Sequence, residues 1–285
     1  MFLRIFVILL LAAAIFGGAW FALHELYIRP EQRLKADNSR PPPTPPPDPS
    51  LADFQRCLEL RQTQPLSEAR TALEQFLREF PSSTRRDAAH DILGEINAQE
   101  FFSVHPNDSN TYVVKSGDNL FRVAARTRLP VELLVHLNRL DGRYPIHPNQ
   151  RLLAPKCSFR MVIQQKARRV VLYNDNKFFR QYPAAVWSRG NRKEDLLPKQ
   201  TGRVTEKRAF NNTGNNTGSV TTAQLRYYDA QHMILVNIPG HSLYTHPDDP
   251  KAVGQRPPGG GIGMAPLHMS EISVLLPVGA SVSIE

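Results

Sequence analysis

The pattern of apolar and polar positions changes character several times along this chain. Ile5–Leu23 is a run of 19 residues without a charge. A membrane-spanning helix needs ~20 such residues, so the run predicts an uncleaved anchor within residues 1–28, with Trp20 and Tyr27 at the outer interface. The rival is a signal peptide cut near Gly17-Gly18-Ala19. A signal peptide's apolar region is usually ~7–15 residues, whereas here it continues through Trp20-Phe21-Ala22-Leu23. Both readings export the rest, because long C-terminal domains translocate largely regardless of charge.

Residues 29–50 break the apolar pattern. Seven of the chain's 24 prolines fall in Pro41–Pro49, which predicts a stiff, extended polyproline spacer. Residues 51–104 then show helical periodicity. Phe54 and Leu58 share a face, and Pro65 breaks the run. Leu66, Ala69, Leu73, Phe76, Leu77 and Phe80 recur at three- and four-residue steps. Pro81-Ser82-Ser83 is expected to end that helix and cap the next, whose buried face is Ala88, Ala89, Ile92, Leu93 and Ile96. The segment resembles a tetratricopeptide-type helical hairpin. Stacked repeats need ~3 units, so a lone module is expected to pack on its neighbours or on a protein partner.

Residues 111–155 alternate between periods. Tyr112-Val113-Val114 reads as a strand and Lys115–Asp118 as a turn, with Gly117 taking positive φ and Asp118 capping a helix from Asn119. Leu120, Val123 and Ala124 give that helix a buried face. Pro130 opens a second helix carrying Val131, Leu134, Val135 and Leu137, which Asn138 ends. Pro148-Asn149 is a tight turn before a closing strand, Arg151–Ala154.

These residues resemble the LysM family of cell-wall glycan binders. The family pattern Y-x-V-x-x-G-D-x-L-x-x-I-A, L-x-x-x-N, I-x-P-G-Q-x-L-x-x-P is met by Tyr112, Val114, Gly117, Asp118, Leu120, Val123-Ala124, Leu134, Asn138, Ile146, Pro148, Gln150, Leu152 and Pro155. Asn149 replaces the usual glycine and tolerates the same left-handed backbone. The resemblance implies a βααβ fold and a shallow groove for N-acetylglucosamine polymers. Its implied lining is Ser116, Gly117, Asp118, Asn119 and Leu120 on one loop. On the other it is Leu140, Asp141, Gly142, Tyr144 and Ile146. Backbone groups would take acetamido groups, and Leu120, Tyr144 and Ile146 would meet sugar faces.

Residues 159–285 are rich in strand patterns: Phe159–Gln164, Arg169–Asn174, Lys177–Ala184, Gln224–Tyr228, Ile234–Ile238 and Ala280–Ile284. RRVVLYNDNKFFRQYPAAV and MSEISVLLPVGASVSI resemble the opening hairpin and the end of the L,D-transpeptidase catalytic domain. That family attacks a peptide carbonyl with a cysteine thiolate activated by histidine, in I-H-G followed by S-H-G-C-I-R. Aligned on Ile262, Gly261 stands at the cysteine, Gly259 at the histidine and Gly263 at the arginine. Tyr244-Thr245-His246 fits the upstream segment, with Pro247 for glycine, so His246 is the one remnant and no catalytic set is expected. Gly202 matches the family's T-P-x-G turn, with Lys199-Gln200 in place of Thr-Pro.

Taken together, the fold class is multidomain α+β: membrane helix, helical hairpin module, βααβ LysM domain and a mostly-β transpeptidase-like domain. Net charge is +9, which favours polyanions. No helix-turn-helix, zinc-finger or RNP pattern points to nucleic acid. Cys57 and Cys157 lack CxxC spacing, and GGGIG does not match a phosphate-binding loop. No metal or cofactor is expected. The expected function is a peptidoglycan-binding protein of the bacterial envelope, held by a single inner-membrane pass with its domains outside the cytoplasm, or secreted after signal cleavage. The alternatives are a divergent L,D-transpeptidase or amide hydrolase, and a scaffold for envelope proteins through the helical module.

Overall fold

The computed structural model describes residues 16–24, 48–140, 145–188, 198–210, 230–246, 257 and 260–285. The backbone divides into two units, Met1–Pro49 and Ser50–Glu285. In the first, residues 16–24 are helical with Phe16, Trp20 and Phe21 exposed. Residues 5–15 of the predicted anchor, and most of the proline spacer, lie outside the described residues. Among the described residues no helix is long and apolar enough to cross a membrane.

The second unit begins with three helices, α1 (Leu51–Thr63), α2 (Leu66–Glu79) and α3 (Arg86–Phe102). Phe54, Cys57, Ala69, Leu73, Phe76, Ala89, Leu93 and Ile96 form their shared core, which follows the predicted periodicity except at Ala88, which is exposed. The expected cap at Ser82-Ser83 falls elsewhere. Arg85 occupies the N-cap position of α3 without a side-chain cap. Ser83 Oγ instead accepts the Arg85 N–H at 3.1 Å and shares a 2.7 Å hydrogen bond with Ser50. A turn between Ser83 and Arg86 delays the helix and consumes that hydroxyl.

Next come β1 (Thr111–Val113), α4 (Leu120–Thr127), α5 (Val131–Leu137) and β2 (Arg151–Leu153). The strands pair antiparallel with Tyr112 opposite Leu152, giving the predicted βααβ order. The remaining strands are β3 (Phe159–Gln164), β4 (Arg169–Asn174), β5 (Lys177–Ser188), β6 (Gln200–Phe210), β7 (Gln231–Val236), β8 (Leu243–Thr245), β9 (Gly261–Met264) and β10 (Ser281–Ile284). They close a barrel in the order β10-β3-β4-β5-β9-β8-β7-β6, which leaves no open sheet edge. The helix α6 (Pro266–Leu275) has no single apolar face and buries Met269, Ile272, Ser273, Val274 and Leu275.

The β3 and β4 spans match the sequence reading. Asp175 and Asn176, both at positive φ (48° and 63°), make the tight turn into β5. Strand β5 runs four residues past the expected Ala184, because Ala184 and Val186–Ser188 find partners in β9. Strand β7 lies earlier than the expected Ile234–Ile238, since its pairing with β6 starts at Gln231 opposite Phe210. Gln224–Tyr228 lies outside the described residues.

Ser50–Glu285 is one packed body. Ala98 of α3, Val123 and Leu134 of the βααβ segment, and Met161 and Val282 of the barrel belong to one core. Gly94 lets α3 meet β5 closely: a Cβ there would lie 2.8 Å from Arg180 Cγ. Asn97 Nδ2 donates to the Phe178 and Phe179 carbonyls at 3.2 and 3.0 Å. Phe101, Phe159 and Phe179 meet edge to face at 5.0–5.7 Å, each contact worth ~0.5–1.5 kcal/mol beyond area burial. On the other side, the buried Lys207 Nζ of β6 lies 3.0 Å from Glu132 Oε1 of α5 and donates to the Ser273 carbonyl at 2.8 Å. Removing one partner of such a buried pair costs about 3–5 kcal/mol. The helical module therefore does pack on a neighbour: α3 lies against β5.

Candidate functional site

The loop Ser116–Leu120 is built around Asp118. Its Oδ2 accepts the Lys115 N–H at 2.9 Å and the Tyr112 hydroxyl at 2.8 Å, and its Oδ1 accepts from Arg126 Nη1. Arg126 Nη1 also reaches the Tyr112 oxygen at 2.9 Å. The side chain is 1% exposed. The Lys115 N–H, then the Tyr112 hydroxyl and the Arg126 charge, hold the Asp118 carboxyl below its usual range. Its oxygens organise the loop and do not project toward a ligand.

The cap differs from the expected one. Asn119, not Asp118, caps α4: it has extended backbone, and its Oδ1 accepts the Arg122 N–H at 2.8 Å. Asp118 is already taken by the loop, so the next polar side chain supplies the cap. Gly117 sits at φ +79° with its nearest would-be Cβ contact 3.9 Å away, as the turn requires. Asn149 takes the left-handed backbone expected of it (φ 67°) and donates its N–H to the Val114 carbonyl at 2.8 Å. Asn138 pins α5 to β2. Its Nδ2 donates to the Leu134 and Leu153 carbonyls, both at 2.9 Å, and its Oδ1 accepts the Leu153 N–H at 2.7 Å.

Of the predicted lining, Ser116, Gly117 and Asn119 are exposed and Leu120 is half-buried. Leu140 and Ile146 rest partly buried on the core. Asp141, Gly142 and Tyr144 lie outside the described residues. The sequence reading passed over Phe121, which is 72% exposed beside this loop. Its signal is a large aromatic one step off the buried face of α4.

Strand β9 carries the second candidate region. Gly261 pairs with Ser188 on one side, and the neighbouring Ile262 pairs with Leu243 on the other. The Ile262 N–H donates to the Ser242 carbonyl at 2.9 Å. A Cβ on Gly261 would stand 2.4 Å from that same Ser242 oxygen and 2.8 Å from Pro257 Cγ. No side chain fits there without moving backbone. A Cβ on Gly263 would meet His246 Cβ and Tyr244 Oη, each at 3.1 Å.

His246 donates its backbone N–H to the Met264 carbonyl at 2.8 Å, and among the described residues its Nδ1 has no hydrogen-bond partner. The Tyr244 hydroxyl, on a residue 1% exposed, also has none among the described residues. Ser242 Oγ accepts the Val236 N–H at 3.2 Å, and its oxygen serves the β7–β8 connection. Gly202 packs under Asn237 and Ile238, where a Cβ would lie 2.3 Å from Asn237 Oδ1. Both cysteines are free. Burial first, then Asp175, pushes the Cys157 thiol up to about 12, and burial raises Cys57 as well. A thiol so raised stays protonated and unreactive at neutral pH. Among the described residues no group of His, Cys, Asp or Glu could hold a metal ion.

Residues 112–155 match the family model described as LysM domain. The chain carries a LysM domain there. LysM domains bind N-acetylglucosamine-containing glycans such as peptidoglycan. Among solved structures, the chain is similar to an L,D-transpeptidase from Mycobacterium smegmatis at 15% identity and TM-score 0.30, over 48% of this chain and 63% of that protein. It is similar to an L,D-transpeptidase fragment from Xylanimonas cellulosilytica at 9% identity and TM-score 0.30, over 64% of this chain and all of that one (100%). The Enterococcus faecium L,D-transpeptidase matches at 14% identity and TM-score 0.30, over 68% and 83%. The chain thus spans about 63% of the length of the Mycobacterium smegmatis protein. No curated protein sequence matches it.

Proposed function

We propose that this protein binds peptidoglycan at the bacterial envelope and performs no cysteine-based transpeptidation. The observation that carries the binding half is the intact Ser116–Leu120 loop within the LysM match, in which Gly117, Asp118 and Asn119 hold the backbone through their own φ and hydrogen bonds. The noncatalytic half is supported by Gly261, whose missing side chain has no room to exist. Neither of the chain's two cysteines lies on β8 or β9 to replace it, and no generic effect restores a lost nucleophile.

Anchoring through Ile5–Leu23 is supported by the length of that uncharged run and by the proline spacer after it. A single glycan module binds weakly, and tethering raises its effective concentration on a wall within reach of the spacer. The test is retention of the full-length protein on purified peptidoglycan, together with incubation with tetrapeptide-bearing muropeptides. We expect retention at moderate salt and no cross-linked or trimmed product. Loss of retention removes the binding reading, and a new product removes the noncatalytic one.

A further inference from the structure

A cleft of about 1020 Å³ lies between the LysM domain and the barrel, away from the Ser116–Leu120 loop. It is lined by the C-terminal half of α4 and the turn after it, by the segment that leads into β3, and by the turn before β10. Its ionisable lining is one-sided: Arg126, Arg128, Lys156 and Arg160 against Asp175. Arg126 is neutralised by Asp118. Arg160 lies 4.1 Å from the centroid of the Tyr173 ring and donates to Asn176 at 3.2 Å, which orients it without a counter-charge. Among the described residues, no carboxylate forms an ion pair with Arg128, Lys156 or Arg160. Cys157, also on the wall, is kept protonated and adds no negative charge.

We propose that this cleft receives the carboxylate-bearing peptide stem of the wall polymer whose glycan lies in the LysM groove. The inference rests on the glycan-binding reading above. The geometry favours it because α4 joins the two places. Its N-terminus leaves the groove loop and its C-terminus forms the cleft wall, and its eight residues span ~12 Å at ~1.5 Å each. A stem of about four residues reaches ~13–14 Å when extended. Arg126 lines the cleft while bonding the loop's Asp118, so one side chain connects both ends. Guanidinium and ammonium groups suit free carboxylates, and the LysM domain and the barrel share one core.

The experiment compares the full-length protein with the double variant Arg128→Gln/Lys156→Gln and a charge-matched control, Lys166→Gln/Arg168→Gln, on the β3–β4 turn outside the cleft. Three probes are used: a tetrapeptide-bearing muropeptide, a stem-free N-acetylglucosamine oligomer, and phosphatidylglycerol vesicles. For the wild type we expect tighter binding of the muropeptide than of the oligomer. The cleft variant should lose about fivefold on the muropeptide, the size expected of two exposed charge contacts, with oligomer binding unchanged and the control unaffected. Equal muropeptide binding by wild type and cleft variant overturns the proposal. So does an equal loss in the control, which marks net charge alone, or an effect confined to the vesicles, which marks a lipid surface. If the wild type binds the muropeptide but not the oligomer, the groove reading fails and the cleft stands; if it binds neither, both fall.

Discussion

Gly117 and Gly261 are both indispensable by geometry, and for opposite reasons. Gly117 has open space around it but a left-handed backbone, at φ +79°. Gly261 lies in regular strand pairing but has no space, with Ser242 O 2.4 Å from any Cβ. The first glycine preserves a loop whose surroundings, Tyr112, Lys115, Asp118 and Arg126, still cooperate. The second lets β9 close onto the Ser242 carbonyl and Pro257. At Gly117 the backbone angle excludes a side chain, and at Gly261 the neighbouring chain does.

The contrast breaks most sharply at Gly261. Gly261→Cys should not create an active thiol; it should push β9 off β8. Overpacking of this kind costs about 1–3 kcal/mol and more where backbone must move. Thermal unfolding of the variant checks it, and a variant as stable as the wild type would show that β8 and β9 can separate to admit a side chain.

Gly117→Ala should cost less, about 1–2 kcal/mol, the penalty of a left-handed residue with a Cβ. The loss should stay local. Amide exchange should quicken around Lys115–Asn119 and glycan retention should fall, while the barrel's protection stays unchanged. Uniform quickening across the barrel would mean that the loop does not open independently of it.

Much of this was legible beforehand where local rules dominate. The βααβ order, the left-handed Asn149 and the β3–β4 spans follow from alternation and turn residues acting over a few positions. The cap was misplaced because two adjacent residues, Asp118 and Asn119, are both good capping types, and the choice depends on Tyr112 and Arg126, six and eight positions from Asp118. Strand β6 and the short β8 gave little signal. Alternation in Gln200–Phe210 is masked by charged residues such as Glu206 and Lys207, and a strand of three residues has no period. That β9 is a strand depends on pairing with Ser188 and Leu243, far along the chain. The merging of modules was equally invisible, because Gly94 against Arg180 and Lys207 against Glu132 are contacts across distant sequence.

The finest test of the loop is its pH dependence. Asp118 is held below its ordinary range by the Lys115 N–H and by Tyr112 and Arg126, whereas an unfolded aspartate titrates near ~3.9. A carboxylate depressed in the folded state stabilises fully above its unfolded value and loses that contribution as pH falls through the folded value. Loop order should therefore be flat from neutral pH down to about 4 and decline only below it. Asp118→Asn should weaken the loop wherever the wild-type carboxyl is ionised and abolish the acid step, because an amide cannot charge and presents only one acceptor oxygen to three donors. Carboxyl chemical shifts followed by NMR give the measurement. A midpoint for Asp118 at or above that of an ordinary aspartate would mean that the hydrogen bonds to Lys115, Tyr112 and Arg126 do not hold the loop in solution.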